Sequence, residues 1–187
     1  GSTDGAAGEK AMRLWSLCDT FHLPVVSFVD EPGFMVGMDA QNAGIVRAGA
    51  RMVAAQCRSQ SPWISFYMKQ AYGVAGQTHH RPTGMYHRYA WPSGKWGSMH
   101  IEGGVSAAYR RDIANSDDPE AARQEIEARL NAMGSPFRTA EATGGEGLHG
   151  IDIIDPRDTR SLLCDFVDMA QDMLDTQLGP PLYPYVP

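Results

Sequence analysis

The chain has 187 residues, of which 43% are hydrophobic and 20% charged, and it carries a net charge of −6 with an isoelectric point near 5.4. This length supports one compact domain with its own core, and the acidic balance without a basic run argues against nucleic acid or an anionic membrane as a partner. No apolar stretch approaches the roughly 20 residues that span a bilayer, and the N-terminus lacks the pattern of a secretory signal. The cysteines Cys18, Cys57 and Cys164 fit neither a disulfide framework nor a paired zinc site, so we expect a reducing compartment.

Hydrophobic spacing predicts a helix followed by a strand at the start of the chain. The helix covers residues 9–21 and ends before Pro24; its apolar residues three or four apart, which should share one face, are Leu14, Leu17, Cys18 and Phe21. Residues 25–29 are β-rich and apolar on both faces, as a strand buried between helices would be.

A second helix and two further strands are predicted next. The helix spans residues 40–56, and we expect Gly44 and Gly49 inside it to permit close helix packing. Residues 63–68 form the second strand and residues 85–91 the third.

The last third of the chain contains two clear helix starts. Asp118-Pro119 and Asp155-Pro156 each place an N-cap acid before a proline, and the helices that follow should run to Met133 and Leu174. A Gly-rich loop over residues 143–150, a short strand over 151–154 and a Pro-rich tail over 179–187 complete the prediction. Alternating strands and helices indicate one α/β domain, either a spiral or a layered sheet.

Common catalytic signatures are absent from the sequence. It has no G-x-S-x-G elbow, no phosphate-binding P-loop, no H-E-x-x-H and no pair of C-x-x-C motifs. Adjacent His79 and His80 chelate poorly if they lie on a strand, so we expect polar loop histidines and no metal site. Asp30 and Glu31 are open to two interpretations, an acid/base pair or turn chemistry.

Two glycine turns offer another kind of chemistry. Residues 30–34 and 72–76 each follow a predicted strand, and a strand that ends in small residues and opens a helix can present backbone N–H groups to an oxyanion. A tight turn explains these glycines equally well.

The same turns carry a family resemblance. Residues 28–37 resemble the F-x-D-x-P-G-F-x-x-G segment of the biotin-dependent acyl-CoA carboxyltransferases, the β-subunit family that includes propionyl-CoA and methylcrotonyl-CoA carboxylases. Four further segments agree in order and spacing, at residues 44–51 (G-I-V-R-A-G-A-R), 69–75 (K-Q-A-Y-G-V-A), 89–92 (Y-A-W-P) and 151–160 (I-D-I-I-D-P-R-D-T-R).

The resemblance implies an α/β, crotonase-like ββα spiral fold with flanking helices. It implies that residues 1–187 form the C-terminal domain of a longer subunit whose N-terminal carboxyltransferase domain is absent. The opening Gly1-Ser2 is, by its sequence alone, typical of a tag remnant. The implied partners are an acyl-CoA, a biotin carboxylase and biotin carrier subunit, and the N-terminal domains of the same and a neighbouring subunit. We also expect a homo-oligomer, from a dimer of subunits up to a hexamer. The expected location is the cytoplasm, or the mitochondrial matrix in a eukaryote.

In the family's reaction, carboxybiotin on a separate carrier releases CO2, and the biotin anion then removes the α-proton of the acyl-CoA. The protein therefore has only to position its substrates and stabilise oxyanions. By resemblance, the amides of Val74 and Ala75, shaped by Gly73, form the oxyanion hole on the biotin side. The implied substrate pocket comprises Gly76, Gln77, Pro32, Gly33 and Phe34.

The sequence departs from the family pattern in this turn. It has an extra residue after Lys69, Val74 in place of a glycine and Gln77 in place of an acid. Valine resists positive φ, so its effect depends on the conformation of the turn. Two alternatives therefore stay open: a biotin-dependent decarboxylase or transcarboxylase component, and a catalytically silent assembly module.

Overall fold

The computed structural model describes residues 1–142 and 150–180. The predicted Gly-rich loop, apart from Gly150, and the tail beyond Pro180 lie outside the described residues. The strands are β1 Val25–Glu31, β2 Trp63–Tyr72, β3 Tyr86–Ala90, β4 Lys95–Gly97 and β5 Asp152–Ile153. The helices are α1 Gly5–Phe21, α2 Met38–Asn42, α3 Ile45–Arg58, α4 Gly73–Gln77, α5 Ile101–Ala108, α6 Arg110–Ala114, α7 Pro119–Met133, α8 Pro136–Ala142 and α9 Thr159–Asp175, the last preceded by a 3-10 turn, Pro156–Asp158.

All described strand pairs are parallel, and β2 is at the centre of the sheet. The strand order is β1-β2-β3-β5, and β4 pairs with the last residues of β2 beyond the part that pairs with β3. Because the strands are parallel, the carboxyl ends of β1, β2 and β4 point the same way and their following turns meet. The sequence predicted an α/β fold, and the parallel sheet with its flanking helices confirms it.

One face of the sheet packs against α1 and α3. Met12, Trp15 and Cys18 of α1 join Met52 of α3 and Trp63 of β2 in one buried cluster. The predicted face of α1 was wrong in part, because only Cys18 of its four residues is buried.

The other three members of that predicted face form an exposed stripe. Leu14, Leu17 and Phe21 are between 47% and 66% exposed. They fall at helical spacing too, but Trp15 and Met12 supply the larger apolar surface toward the sheet, and this decides which face turns inward.

The predicted helix over residues 40–56 is two helices. Gly44 has a φ of 81°, a left-handed conformation that ends α2 and starts α3. The helix packing expected at Gly44 and Gly49 was wrong in kind: nothing lies within 4 Å of a Cβ added at Gly44, and a Cβ at Gly49 would lie 2.9 Å from Cε2 of Phe34, which belongs to a turn. Gly49 therefore lets α3 approach the turn that follows β1.

The opposite face of the sheet is covered by α9. Phe166 and Ala170, both fully buried, pack on Ile64 and Phe66 of β2. The cover is incomplete over β1, where Phe28 stacks on Phe66 at 5.5 Å between ring centroids yet remains 52% exposed.

Asp19 stabilises the connection between α3 and β2 through hydrogen bonds. Its Oδ1 accepts hydrogen bonds from the Ser59 hydroxyl, the Gln60 amide, and both the amide and hydroxyl of Ser61, all between 2.8 and 2.9 Å. One carboxylate oxygen on α1 thus fixes three consecutive residues at the entry to the central strand.

Candidate functional site

A cleft of about 1120 Å³ lies at the carboxyl ends of the strands. Three turns form its walls: residues 32–34 after β1, residues 73–74 after β2 and residues 98–100 after β4. The first turn of the cleft also meets the N-terminus, because the Thr3 amide donates to Gly33 O at 3.0 Å. The topology of the sheet therefore places both glycine turns of the sequence in one site.

The turn between β2 and α4 has the form that the sequence predicted. Gly73 has a φ of 61°, a conformation that favours glycine, and a Cβ there would lie 3.3 Å from Ser98 O, a tight contact. Among the described non-glycine residues only His22 has a positive φ, so Val74 adopts its helical conformation without backbone strain. The first N–H groups of a helix have no intrahelical acceptor, which leaves this turn able to donate.

Val74 and Ala75 differ sharply in exposure. Val74 is 58% exposed and lines the cleft, whereas Ala75 is fully buried behind it. Within this turn, the residues that line the cleft are therefore Gly73 and Val74 and not Ala75.

The predicted substrate-pocket residues divide into two groups. Pro32, Gly33 and Phe34 line the cleft, whereas Gly76 is buried and Gln77 is exposed outside the cleft lining. Gly76 has a packing role, since a Cβ there would lie 2.6 Å from the carbonyl carbon of Ala71. Only a residue without a side chain lets α4 fold back onto the end of β2.

Asp30 takes part in both the sheet and the cleft. It lines the cleft, and its Oδ1 accepts a hydrogen bond from the Gln70 amide at 3.2 Å where the pairing of β1 and β2 shifts register. The His100 ring lies across the cleft wall, 3.5 Å from Nε2 of Gln70 and edge-on to Tyr72 at 5.9 Å. These polar groups give an otherwise apolar cleft a small number of oriented contacts.

Glu31 points away from the cleft into a buried cluster. Its carboxylate accepts hydrogen bonds from the Thr3 hydroxyl at 2.5 Å and the Gly33 amide at 2.9 Å, and His79 Nε2 lies 3.9 Å away. Burial alone would raise the pKa of Glu31, but the His79 ring and the two hydrogen bonds outweigh it and hold the pKa below its usual value. Of the two interpretations of the acidic pair, Glu31 therefore fits turn chemistry, because it ties the N-terminus to the cleft turn.

His80 is held neutral by its surroundings. Burial, reinforced by the positive charge of Arg88, lowers its pKa to about 4. Its Nδ1 lies 3.3 Å from the Tyr67 hydroxyl, and burial raises the pKa of Tyr67 to about 12. The histidine pair thus lies in the loop after α4, with His79 against Glu31 and His80 against Tyr67.

Sequence reasoning missed one whole wall of the cleft. The wall is formed by the residues around β4 and α5, namely Ser98, Met99, His100, Gly103, Gly104, Ala107 and Ala108. The small residues at positions 103, 104, 107 and 108 follow helical spacing, which is a signal for a helix that approaches a ligand closely.

The described residues set limits on other functions. Within ranges 1–142 and 150–180, no group of three or more His, Cys, Asp or Glu could hold a metal ion. No helix in the same ranges has the length and apolar character needed to cross a membrane. What the cleft offers is an apolar space with backbone donors at one end, which suits binding and charge stabilisation more than side-chain acid/base chemistry.

Comparisons with known proteins match nearly the whole chain. The carboxyl transferase domain family matches residues 1–177. The methylmalonyl-CoA carboxyltransferase 12S subunit of Propionibacterium freudenreichii subsp. shermanii is 36% identical over 171 residues, which cover 90% of this chain and 32% of that protein. The carboxyltransferase subunit of propionyl-CoA carboxylase from Haloferax mediterranei is 34% identical over 179 residues, covering 95% of this chain and 34% of that protein.

A solved structure agrees with these relatives. A crystal structure of transcarboxylase 12S, described as a hexamer assembly with methylmalonyl-coenzyme A and methylmalonic acid bound, superimposes with a TM-score of 0.76 at 33% identity and covers 91% of this chain and 32% of that chain. The crotonase-like fold expected from the sequence is thereby confirmed. The chain spans about a third of the length of the curated relatives it matches.

Proposed function

Because the chain belongs to the carboxyl transferase domain family, we propose that it is the C-terminal half of an acyl-CoA carboxylase carboxyltransferase subunit. In this role it contributes the biotin side of the site where a carboxyl group passes from carboxybiotin to the α-carbon of an acyl-CoA. The observation that carries the proposal is the cleft turn at Gly73 and Val74, which joins a left-handed glycine to an exposed helix start at the end of the central strand.

The groups that line the cleft suit the chemistry of the ureido ring of biotin. The ring is uncharged and presents a carbonyl oxygen, and the cleft wall provides apolar surface with helix-start N–H groups beside it. Biotin supplies the carboxyl group and, once it has lost that group, the base that takes the α-proton.

This chain's residues act by placing donors where negative charge develops. We propose that the amides of Val74 and Ala75 form the oxyanion hole, with Gly73 setting the turn. Because Ala75 is fully buried, its amide contributes only to an oxygen that reaches past Val74. Loss of one such donor typically costs about 3 kcal/mol of transition-state stabilisation.

The rest of the substrate pocket follows from the cleft walls. Pro32, Gly33 and Phe34 are proposed to contact the acyl group, since they line the same cleft. Gly76 and Gln77 are proposed to act from outside the cleft lining. Gly76 lets α4 pack closely on the end of β2, and Gln77 is exposed on the outer side of the turn.

The proposal includes partners that complete the site. These are an acyl-CoA, a biotin carboxylase and biotin carrier subunit, and the N-terminal carboxyltransferase domains of the same and a neighbouring subunit in an oligomer up to a hexamer. The hexamer of the 12S relative supports the oligomer. A cytoplasmic location, or the mitochondrial matrix in a eukaryote, is supported by the three free cysteines, which suit a reducing compartment.

The test is carboxyl transfer from malonyl-CoA or methylmalonyl-CoA to free biotin by the complete subunit that contains this chain. Val74→Pro removes the amide donor of an exposed residue that lines the cleft, and Val74→Ala is its matched control because it keeps the N–H. We expect Val74→Pro to lower kcat/KM by about a hundredfold, as loss of one oxyanion donor does, and Val74→Ala to retain most activity.

Ala75→Pro is tested in the same way, with a thermal unfolding curve because the position is buried. Full activity of a folded Val74→Pro subunit would remove Val74 from the oxyanion hole. A complete wild-type subunit that assembles but transfers no carboxyl group would instead support the silent assembly module.

A further inference from the structure

A second pocket, of about 260 Å³, lies directly beside the cleft. It is enclosed by β4, the start of α5 and the last turn of α7. Ser98 and Met99 line both spaces, so a two-residue segment separates the pocket from the cleft. The complete lining is Trp96, Gly97, Ser98, Met99, Ile101, Leu130, Met133 and Gly134.

The pocket is apolar, and no charged side chain is among its lining residues. Leu130 and Met133 reach it from α7, a helix that has no fully buried residue of its own. The last turn of α7 therefore borders a space at Leu130 and Met133, and Met133 is 47% exposed.

The frame of the pocket is held by backbone contacts. The Trp96 amide donates to Gly134 O at 3.0 Å, and a Cβ on Gly134 would lie only 2.4 Å from Trp96 O. These backbone contacts hold the end of α7 against β4 at one corner of the pocket.

The partition between pocket and cleft is a flexible side chain. A Cβ on Gly104 would lie 2.5 Å from Sδ of Met99, so the thioether rests directly on this glycine. Methionine has three rotatable bonds and adapts to different neighbours, so its side chain can turn aside for a ligand without backbone movement.

We propose that this pocket holds the apolar end of an acyl chain longer than propionyl, whose thioester end lies in the cleft. The inference rests on the proposed carboxyltransferase function and names its substrate class as medium-chain or branched acyl-CoA. Because Met99 lines both the pocket and the cleft, we assign the pocket to the far end of the ligand in the cleft and not to a second, separate ligand. An apolar cavity of about 150 Å³ holds a benzene ring, so 260 Å³ has room for a larger aliphatic segment.

The size of the effect follows from apolar burial. Each methylene removed from water should raise kcat/KM by about fourfold until the pocket is full. The complete subunit is assayed with free biotin as acceptor and a series of 2-alkylmalonyl-CoA donors with methyl, butyl and hexyl substituents.

Two variants reduce the pocket volume. Leu130→Trp fills it from the half-buried side, and Met133→Trp fills it from an exposed position where folding is less affected. Met169→Trp is the matched control, since Met169 is 45% exposed on α9 and does not line either space. Thermal unfolding of each variant accompanies the kinetics.

In the wild type and in Met169→Trp, we expect kcat/KM to rise from the methyl donor to the hexyl donor. In the two pocket variants we expect this rise to be lost, while kcat/KM for the methyl donor is unaffected. The same kcat/KM for all donors in the wild type, or an unchanged preference in a folded pocket variant, would overturn the inference while leaving carboxyl transfer intact. No transfer from any donor would overturn the proposed function, and this inference with it.

Discussion

Gly76→Ala tests how α4 packs against the end of β2. The added Cβ would lie 2.6 Å from the Ala71 carbonyl carbon and 3.0 Å from its Cα. Non-bonded carbon atoms prefer about 3.5–4.0 Å, so α4 must move away from the end of β2 by about 1 Å. The opposing atoms are backbone and cannot rotate out of the way.

Two opposing contributions determine the effect on stability. Overpacking of this kind costs about 1–3 kcal/mol, and a backbone contact should fall near the upper value. Replacing a helical glycine by alanine returns at most about 1 kcal/mol. We therefore expect the free energy of unfolding to fall by about 2 kcal/mol, which lowers Tm by roughly 4–8 °C in a domain of this size.

Gly103→Ala is the matched control for this substitution. Gly103 is also helical, but no atom lies within 4 Å of its added Cβ. We expect a gain of about 0.5–1 kcal/mol from helix propensity alone. Urea and thermal unfolding measure both variants, and a Gly76→Ala protein as stable as the wild type would refute the assigned packing role of Gly76.

Two further predictions concern groups outside the cleft. Asp19→Ala removes the acceptor of four hydrogen bonds and should lower the free energy of unfolding by about 3 kcal/mol. Asp172→Ala, at an exposed position of α9, is the control and should change the free energy of unfolding little. Equal denaturation midpoints for the two variants would contradict this prediction. The half-buried His80 has a pKa lowered from 6.5 to about 4, so the unfolded chain binds the extra proton first and stability should fall as pH drops from about 6.5 to about 4. A His80→Gln variant should have a flatter dependence of unfolding free energy on pH in that window, and an unchanged slope would show that His80 does not titrate as described.

The sequence was sufficient to predict β1, β2, β3, β5 and the two glycine turns because their signals are local. Each buried strand is a continuous β-rich run, and each turn combines a glycine with the end of such a run. The two turns meet because the strands before them are parallel. This order of the strands came from the fold that the family resemblance implied.

Other features depend on packing between distant segments and could not be predicted in this way. The inward face of α1 is decided by Trp15 against Trp63, two rings with centroids 5.2 Å apart, and not by the spacing of its leucines. The wall around β4 and α5 was missed because β4 has only three residues, too few for an alternating pattern. The helical spacing in α5 is carried by small residues, which give little hydrophobic contrast. The burial of Ala75 depends on how α4 folds onto β2, which only the close approach at Gly76 reveals.

The parallel pairing of the described strands also bears on how this chain folds. Val25 pairs with Trp63 and Tyr89 pairs with Asp152, so its ladders join residues that are far apart in the chain. Such non-local pairing makes folding slow, because loop-closure entropy is lost before contacts compensate for it. During that delay the apolar central strand is open to intermolecular association, and slower synthesis at low temperature should therefore increase the yield of folded protein.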